Sequence, residues 1–163
     1  MTFNIRVPLD CTASELDAFE ALVREGGEVV PAGLRERMLS AHYLMFLYDD
    51  ARVLAGISAL KRVHPGYRAV IFHNAKASVR PEDYEAEMGW TYLRQSYRGR
   101  GLSAILKVQL LPYAGRMLVY ATVRADNTPA LRSLVGHGFR QEGVPYRSMR
   151  GDYDLVLFVQ PAR

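Results

Sequence analysis

Apolar positions along the chain recur with two periods, and where the period changes the chain changes element. Residues 3–7 alternate apolar and polar up to Pro8, which predicts a short first strand. Leu16, Phe19, Leu22 and Val23 then follow helical spacing, with Thr12 or Ser14 as cap and Gly26-Gly27 as stop. Pro31 is predicted to open a second helix carrying Leu34, Met38 and Leu39 on one face. Residues 42–48 and 52–60 are apolar, β-favouring runs joined by Asp49, Asp50 and Ala51, which reads as a hairpin. Gly56 inside the second run marks a bulge or a close backbone approach. Residues 61–83 carry the weakest pattern, a loop with a short helix or strand around 69–72, and as an insertion beside the central strand this segment is a candidate for specificity.

The second half is clearer. A strand over 86–93 leads through a glycine-bearing turn into a helix with Leu102, Ile105, Leu106 and Leu110 on one face, closed by Pro112 and Gly115. Residues 117–123 form a strongly apolar strand, and Thr128 followed by Pro129 is a natural cap and first helical residue for a helix through Leu131, Leu134 and Val135. Two strands, 140–149 and 153–159, close the chain across a turn at Gly151-Asp152. The order predicts an α/β chain with a mixed sheet.

At 163 residues, 49% hydrophobic and 23% charged, the chain fits one globular domain over 1–163. Its single cysteine, Cys11, permits no intrachain disulfide and no cysteine-based zinc cluster, which suits a reducing cytoplasm. The first residues lack the basic segment and apolar run of a signal peptide, and no run approaches the roughly 20 apolar residues of a membrane helix, so neither a membrane partner nor an exported protein is expected. A net charge of +4 admits an acidic partner. The arginines are scattered apart from a cluster at 94–100, and no nucleic-acid-binding signature accompanies them, so nucleic acid is not expected as the main partner. His42, His64, His73 and His137 include no pair at metal-ligand spacing, and no metal site is expected.

The arginine cluster sits in the stretch Gln95-Ser-Tyr-Arg-Gly-Arg-Gly-Leu-Ser103, between strand and helix. Gly99 and Gly101 let the backbone adopt dihedrals that other residues resist and allow a ligand to approach bare N–H groups. The unpaired N–H groups at the helix start and the helix dipole favour an anion there by roughly 0.3–1 kcal/mol, with Arg94, Arg98 and Arg100 adding charge. A phosphate is the natural occupant. A Rossmann fingerprint fails because Ala104 stands where its third glycine belongs, and a P-loop fails for want of Gly-Lys-Ser/Thr.

Arg98-Gly99-Arg100-Gly101-Leu102-Ser103 resembles the signature Arg/Gln-x-x-Gly-x-Gly/Ala of the GNAT superfamily of acyl-CoA-dependent N-acetyltransferases, departing only at Ser103. A second signature of that family, an asparagine after a strand, a short helix and a closing Gly-Phe, is similar to Asn127, Gly138 and Phe139. The resemblance runs from about residue 42 to the end and implies an α/β (α+β) GNAT fold: a single mixed, mostly antiparallel twisted sheet flanked by helices and splayed between its fourth and fifth strands, where acetyl-CoA enters. It further implies that Leu93, Arg94, Arg98, Gly99, Arg100, Gly101, Leu102, Ser103 and Asn127 hold acetyl-CoA, with an N–H near Leu93 facing the developing oxyanion and the Asn127 amide meeting the pantetheine arm. Glu87 is the corresponding candidate for general base, with Glu82 and Glu85, placed in the preceding loop, as competitors; its plain alternative is a solvent-facing strand residue paired with an arginine. The tyrosine that often acts as general acid is replaced by Leu134, leaving water, Tyr120 or Tyr146 to substitute. The implied activity is transfer of an acetyl group from acetyl-CoA to a primary amine of a small molecule, peptide or protein, a homodimer being common in the family. The alternative is a non-catalytic acyl-CoA-binding sensor or interaction protein, which the absent tyrosine favours.

Overall fold

The computed structural model describes residues 1–27 and 29–161. Seven strands form one open sheet in the order β1-β2-β3-β4-β5-β7-β6, with a parallel β4–β5 ladder and antiparallel β1–β2, β2–β3, β5–β7 and β6–β7 ladders. The chain divides into two compact units, 1–62 with 88–115 and 63–87 with 116–163, and β4 (Tyr84–Leu93) runs from the second into the first.

The first unit holds β1 (Thr2–Arg6), α1 (Ala13–Gly26), α2 (Leu34–Leu39), β2 (Tyr43–Tyr48), β3 (Leu54–Lys61) and α4 (Leu102–Leu110). Thr12 caps α1: its hydroxyl accepts from Glu15 N–H at 3.2 Å while the Glu15 carboxylate accepts from Thr12 N–H at 2.8 Å. The predicted second helix starts later than Pro31, at Leu34, because Gly33 takes φ 65° and a left-handed residue stands outside a helix. Phe19, Leu22, Leu34, Met38, Phe46 and Ile57 are fully buried together, and Phe19 meets the Phe46 ring edge-on at 5.3 Å. In the hairpin Asp49 Oδ1 accepts from Val53 N–H at 2.8 Å and Arg52 turns the chain at φ 61°. Gly56 is the close approach expected, since a Cβ there would lie 2.9 Å from the Tyr92 carbonyl oxygen; the register also shifts beside it, between Leu47 and Tyr48.

The second unit holds α3 (Pro65–Asn74), the start of β4, β5 (Leu118–Arg124), α5 (Thr128–Gly136), β6 (Arg140–Arg147) and β7 (Asp154–Val159). The weakly patterned segment proves to carry a full helix of 10 residues where only a short piece around 69–72 was expected. His64 caps it, accepting from Gly66 N–H at Nδ1 over 3.1 Å, and Pro65 occupies the first helical position, where its missing N–H costs nothing. Ile71 and Phe72 of α3 pack into a cluster with Tyr84, Tyr120, Leu157 and Val159, the Phe72 ring 5.3 Å from that of Tyr120. After α3 the chain is fastened to β6. The buried Glu142 carboxylate accepts from both Ser78 N–H (2.6 Å) and Ser78 Oγ (2.7 Å), and Val144 N–H donates to Ala75 O at 2.8 Å. Gly143, at φ 68°, lies so near Ala75 O that any Cβ would overlap it.

Candidate functional site

The first unit presents the glycine loop. After Leu93 ends β4, Arg94 N–H donates to Ala55 O at 3.0 Å, and a single 3₁₀ turn, Gln95–Tyr97, delivers the chain to Arg98. Two side chains fasten this turn. Tyr97 OH donates to Asp49 Oδ2 at 2.6 Å, and Arg98 Nε donates to Leu93 O at 2.9 Å while its guanidinium lies 5.3 Å from the centroid of Tyr92. The Tyr97 bond, joined by the one from Val53, holds the Asp49 carboxyl below its ordinary range, and the same bond pushes the Tyr97 phenol up. Arg98 therefore braces the loop from within as well as lending charge, and the Arg94 N–H, committed to Ala55, is not the donor sought for the oxyanion.

Gly99 and Gly101 both take left-handed dihedrals, φ 76° and 72°. A Cβ at either would meet no protein atom within 4 Å, so the glycines answer to the backbone turn and leave open space in front of it. Gly101 precedes α4, whose start has no side-chain cap; the first helical bonds run from the N–H groups of Ala104 and Ile105 to Gly101 O, so the N–H groups of Leu102 and Ser103 come before the first helical donor. The Leu102 side chain is buried, so that residue offers only its backbone. One turn on, the buried Lys107 reaches Ser103 Oγ at 3.4 Å, and burial pushes its amine down to about 8. Sequence reasoning passed over Lys107; a lysine on the apolar face of α4 was the available signal. Arg100 remains exposed, 5.9 Å over the Tyr97 ring.

The second unit presents the carboxylate. Glu87 is 4% exposed, which removes the solvent-facing alternative, and it faces Tyr120 on β5 with which it is in register. Tyr120 is fully buried and its OH lies 3.4 Å from Glu87 Oε2. Burial, with the Glu87 charge second, pushes the Tyr120 phenol far above its ordinary range, so it holds its proton. Glu85 lies within β4 rather than in the loop before it, and both it and Glu82 are exposed. Beyond Glu87 strand alternation breaks at Trp90, which takes φ 50°, packs 6.2 Å from Phe19 and carries Lys61 over its ring at 5.3 Å.

Asn127 corrects an expectation. It, not Thr128, caps α5: its Oδ1 accepts from Ala130 N–H at 3.2 Å, and Thr128 is the first residue of the helix. The amide oxygen is thereby engaged at the helix start, and the NH₂ is the group left to donate to a ligand. Leu134 is fully buried, a core residue of α5. Among the described residues no group of three or more His, Cys, Asp or Glu is placed to hold a metal ion, and no helix is long and apolar enough to cross a membrane.

A glycine-turned helix start without a side-chain cap, on a mixed sheet, can receive an anion. The model of the Acetyltransferase (GNAT) family matches residues 14–139, and the chain belongs to that family. Solved structures share the fold along the whole chain. An acyl-CoA N-acyltransferase from Pseudomonas aeruginosa is 18% identical with a TM-score of 0.70, covering 98% of this chain and 99% of that one. Arabidopsis thaliana NAA60 in complex with acetyl-CoA is 19% identical with a TM-score of 0.69, covering 97% and 98%. A ribosomal-protein-alanine N-acetyltransferase from Brucella melitensis is 17% identical with a TM-score of 0.66, covering 98% and 99%. No curated protein matches the chain.

Proposed function

We propose that the protein transfers an acetyl group from acetyl-CoA to a primary amine. The observation that carries this reading is the loop: two left-handed glycines with open space where a Cβ would stand, leading into an uncapped helix with Lys107 beneath Ser103. That is a fit for a pyrophosphate. The N–H groups of Leu102 and Ser103 and the Ser103 hydroxyl hold the phosphate oxygens, Arg94 and Arg100 supply surrounding charge, and Arg98 keeps the loop in shape. The Asn127 NH₂ group meets the pantetheine amide. Acetyl-CoA supplies the acetyl group as a thioester.

Glu87 accepts the proton. An amine is mostly protonated near neutral pH and attacks only as the free base, after one proton has gone to solvent; as the new C–N bond forms and the C–S bond breaks, the carboxylate takes the second proton from nitrogen and the departing CoA thiolate takes one from water. Tyr120, kept protonated by burial, donates to Glu87 and fixes its orientation. The buried Leu134 favours the second reading, an acyl-CoA-binding protein without turnover, because the expected tyrosine hydroxyl is missing there.

Calorimetry with acetyl-CoA tests the first half and release of free thiol across a panel of amines the second. Gly101→Glu places bulk and negative charge in the open space and should abolish binding. Unaltered affinity in that variant would put the cofactor elsewhere; binding without thiol release from any amine would favour the sensor.

A further inference from the structure

Among the described residues of the second unit, two polar groups are buried without a hydrogen-bond partner: the Nε of Arg68 and the hydroxyl of Tyr146. Buried donors almost always find an acceptor, and an exception needs a reason. Arg68 lies on α3. Its guanidinium is half-buried, it makes no ion pair among the described residues, and its one bond runs from NH1 to the neutral Tyr84 carbonyl at 2.7 Å. A charge so placed lacks its anion. Tyr146 comes from β6 and packs against the cluster that holds Phe72 and Tyr120, where Tyr120 meets Glu87, and Arg68 reaches the same cluster through its bond to the Tyr84 carbonyl. The two are also coupled to that pair electrostatically: the Arg68 charge acts on Tyr120, and the Glu87 charge, after burial and Tyr67, pushes the Tyr146 phenol up.

Resting on the acetyl-transfer reading, we infer that the acceptor is a small amine bearing its own carboxylate, an amino acid in its zwitterionic form, with Arg68 and Tyr146 holding the carboxylate while Glu87 takes the proton of the amine. Two donors, one of them cationic, match the two oxygens of a carboxylate. A peptide amino terminus would offer a single neutral carbonyl in its place and leave the guanidinium without a counter-ion. Tyr67 stands beside Arg68 on α3, and Arg150 donates to its hydroxyl at 3.2 Å, which sets an exposed guanidinium beside this end of α3. Electrostatic attraction there would draw in an anionic group before it is desolvated.

The test separates binding from chemistry. The L-amino acids and their C-terminal amides are titrated calorimetrically into the full chain saturated with CoA, and thiol release is followed separately with acetyl-CoA. At least one amino acid should bind about 10–100-fold tighter than its own amide, the worth of a charge-assisted bond. Tyr146→Phe should weaken binding of that acid about tenfold and leave its amide unchanged. Arg68→Lys, which retains charge but not the Nε geometry, should reduce the preference in the same direction. Equal binding of acid and amide across the series, or an equal loss for both in Tyr146→Phe, overturns the inference. Selective binding of the acid without thiol release upholds Arg68 and Tyr146 as a carboxylate site, but sinks the acetyl-transfer reading and with it the assignment of that acid as acceptor.

Discussion

Glu85 is exposed while Ala86, Glu87 and Met88 in succession are buried, so the alternation that a strand normally shows is lost at the residue that matters most. The family resemblance named Glu87, at the start of an apolar strand, but its burial was illegible for this reason. Replacing the carboxylate by an amide keeps the shape and removes the basicity. Glu87→Gln should bind acetyl-CoA as the wild type does and lose about 10²–10⁴ in kcat at neutral pH, with the deficit shrinking at high pH as free amine accumulates. Wild-type turnover at pH 7 with a verified amine would make Glu87 a structural carboxylate. The turn of the glycine loop was legible because a left-handed φ imposes the residue type at Gly99 and Gly101, whereas the bond from Arg98 to the Leu93 carbonyl was not. For Lys107 the pattern offered only its place on the apolar face of α4; that its amine reaches back to Ser103 is not legible from helical spacing.

At the scale of elements, α5 shows how local chemistry can be read correctly in kind and wrongly in place. Asparagine and threonine are both good caps, and the two adjacent candidates, Asn127 and Thr128, differ by one residue; the structure spends the Asn127 oxygen on Ala130 N–H. Leu134 on the same helix is a core residue, and Leu134→Ala should cost about 2–5 kcal/mol of stability while turnover per folded molecule changes little. A large fall in turnover at unchanged melting temperature would instead assign it a part in shaping the active site. The helix α3 was hidden for a different reason. Only Ile71 and Phe72 of its 10 residues are buried, while Tyr67 and Val70 are exposed, so its apolar stripe is too thin to register as a period. Its start was written plainly in His64-Pro65, a cap and a first-turn proline. Because Tyr67 and Arg68 lie on it, misjudging α3 also hid the residues here assigned to the acceptor.

For the whole molecule, the response to acid follows from several carboxylates at once. Burial alone would raise Glu142, but the hydrogen bonds from Ser78 and the charge of Arg140 outweigh it and bring it below its ordinary range. Asp49, Asp83 and Asp126 are lowered chiefly by bonds from Tyr97, Arg80 and Arg124 respectively. Each group then favours the folded state while ionised. Their contribution is complete above the ordinary carboxyl range, about pH 4–4.5, and is lost as pH falls through the lower folded values. The melting temperature should therefore hold from pH 7 to about 5 and drop below that range, less steeply in Glu142→Gln; a Tm unchanged down to pH 3 would contradict it. The two fastenings of the glycine loop, Tyr97 to Asp49 and Arg98 to the Leu93 carbonyl, carry a kinetic consequence. If the loop holds a phosphate as proposed, a shape fixed in advance spares the arriving ligand the wait for it to form and the affinity lost to ordering it. Tyr97→Phe removes no group that touches the phosphate, yet it divides the free loop among several shapes of which one is competent. Stopped-flow measurements should then show acetyl-CoA associating more slowly, with its release rate close to that of the wild type.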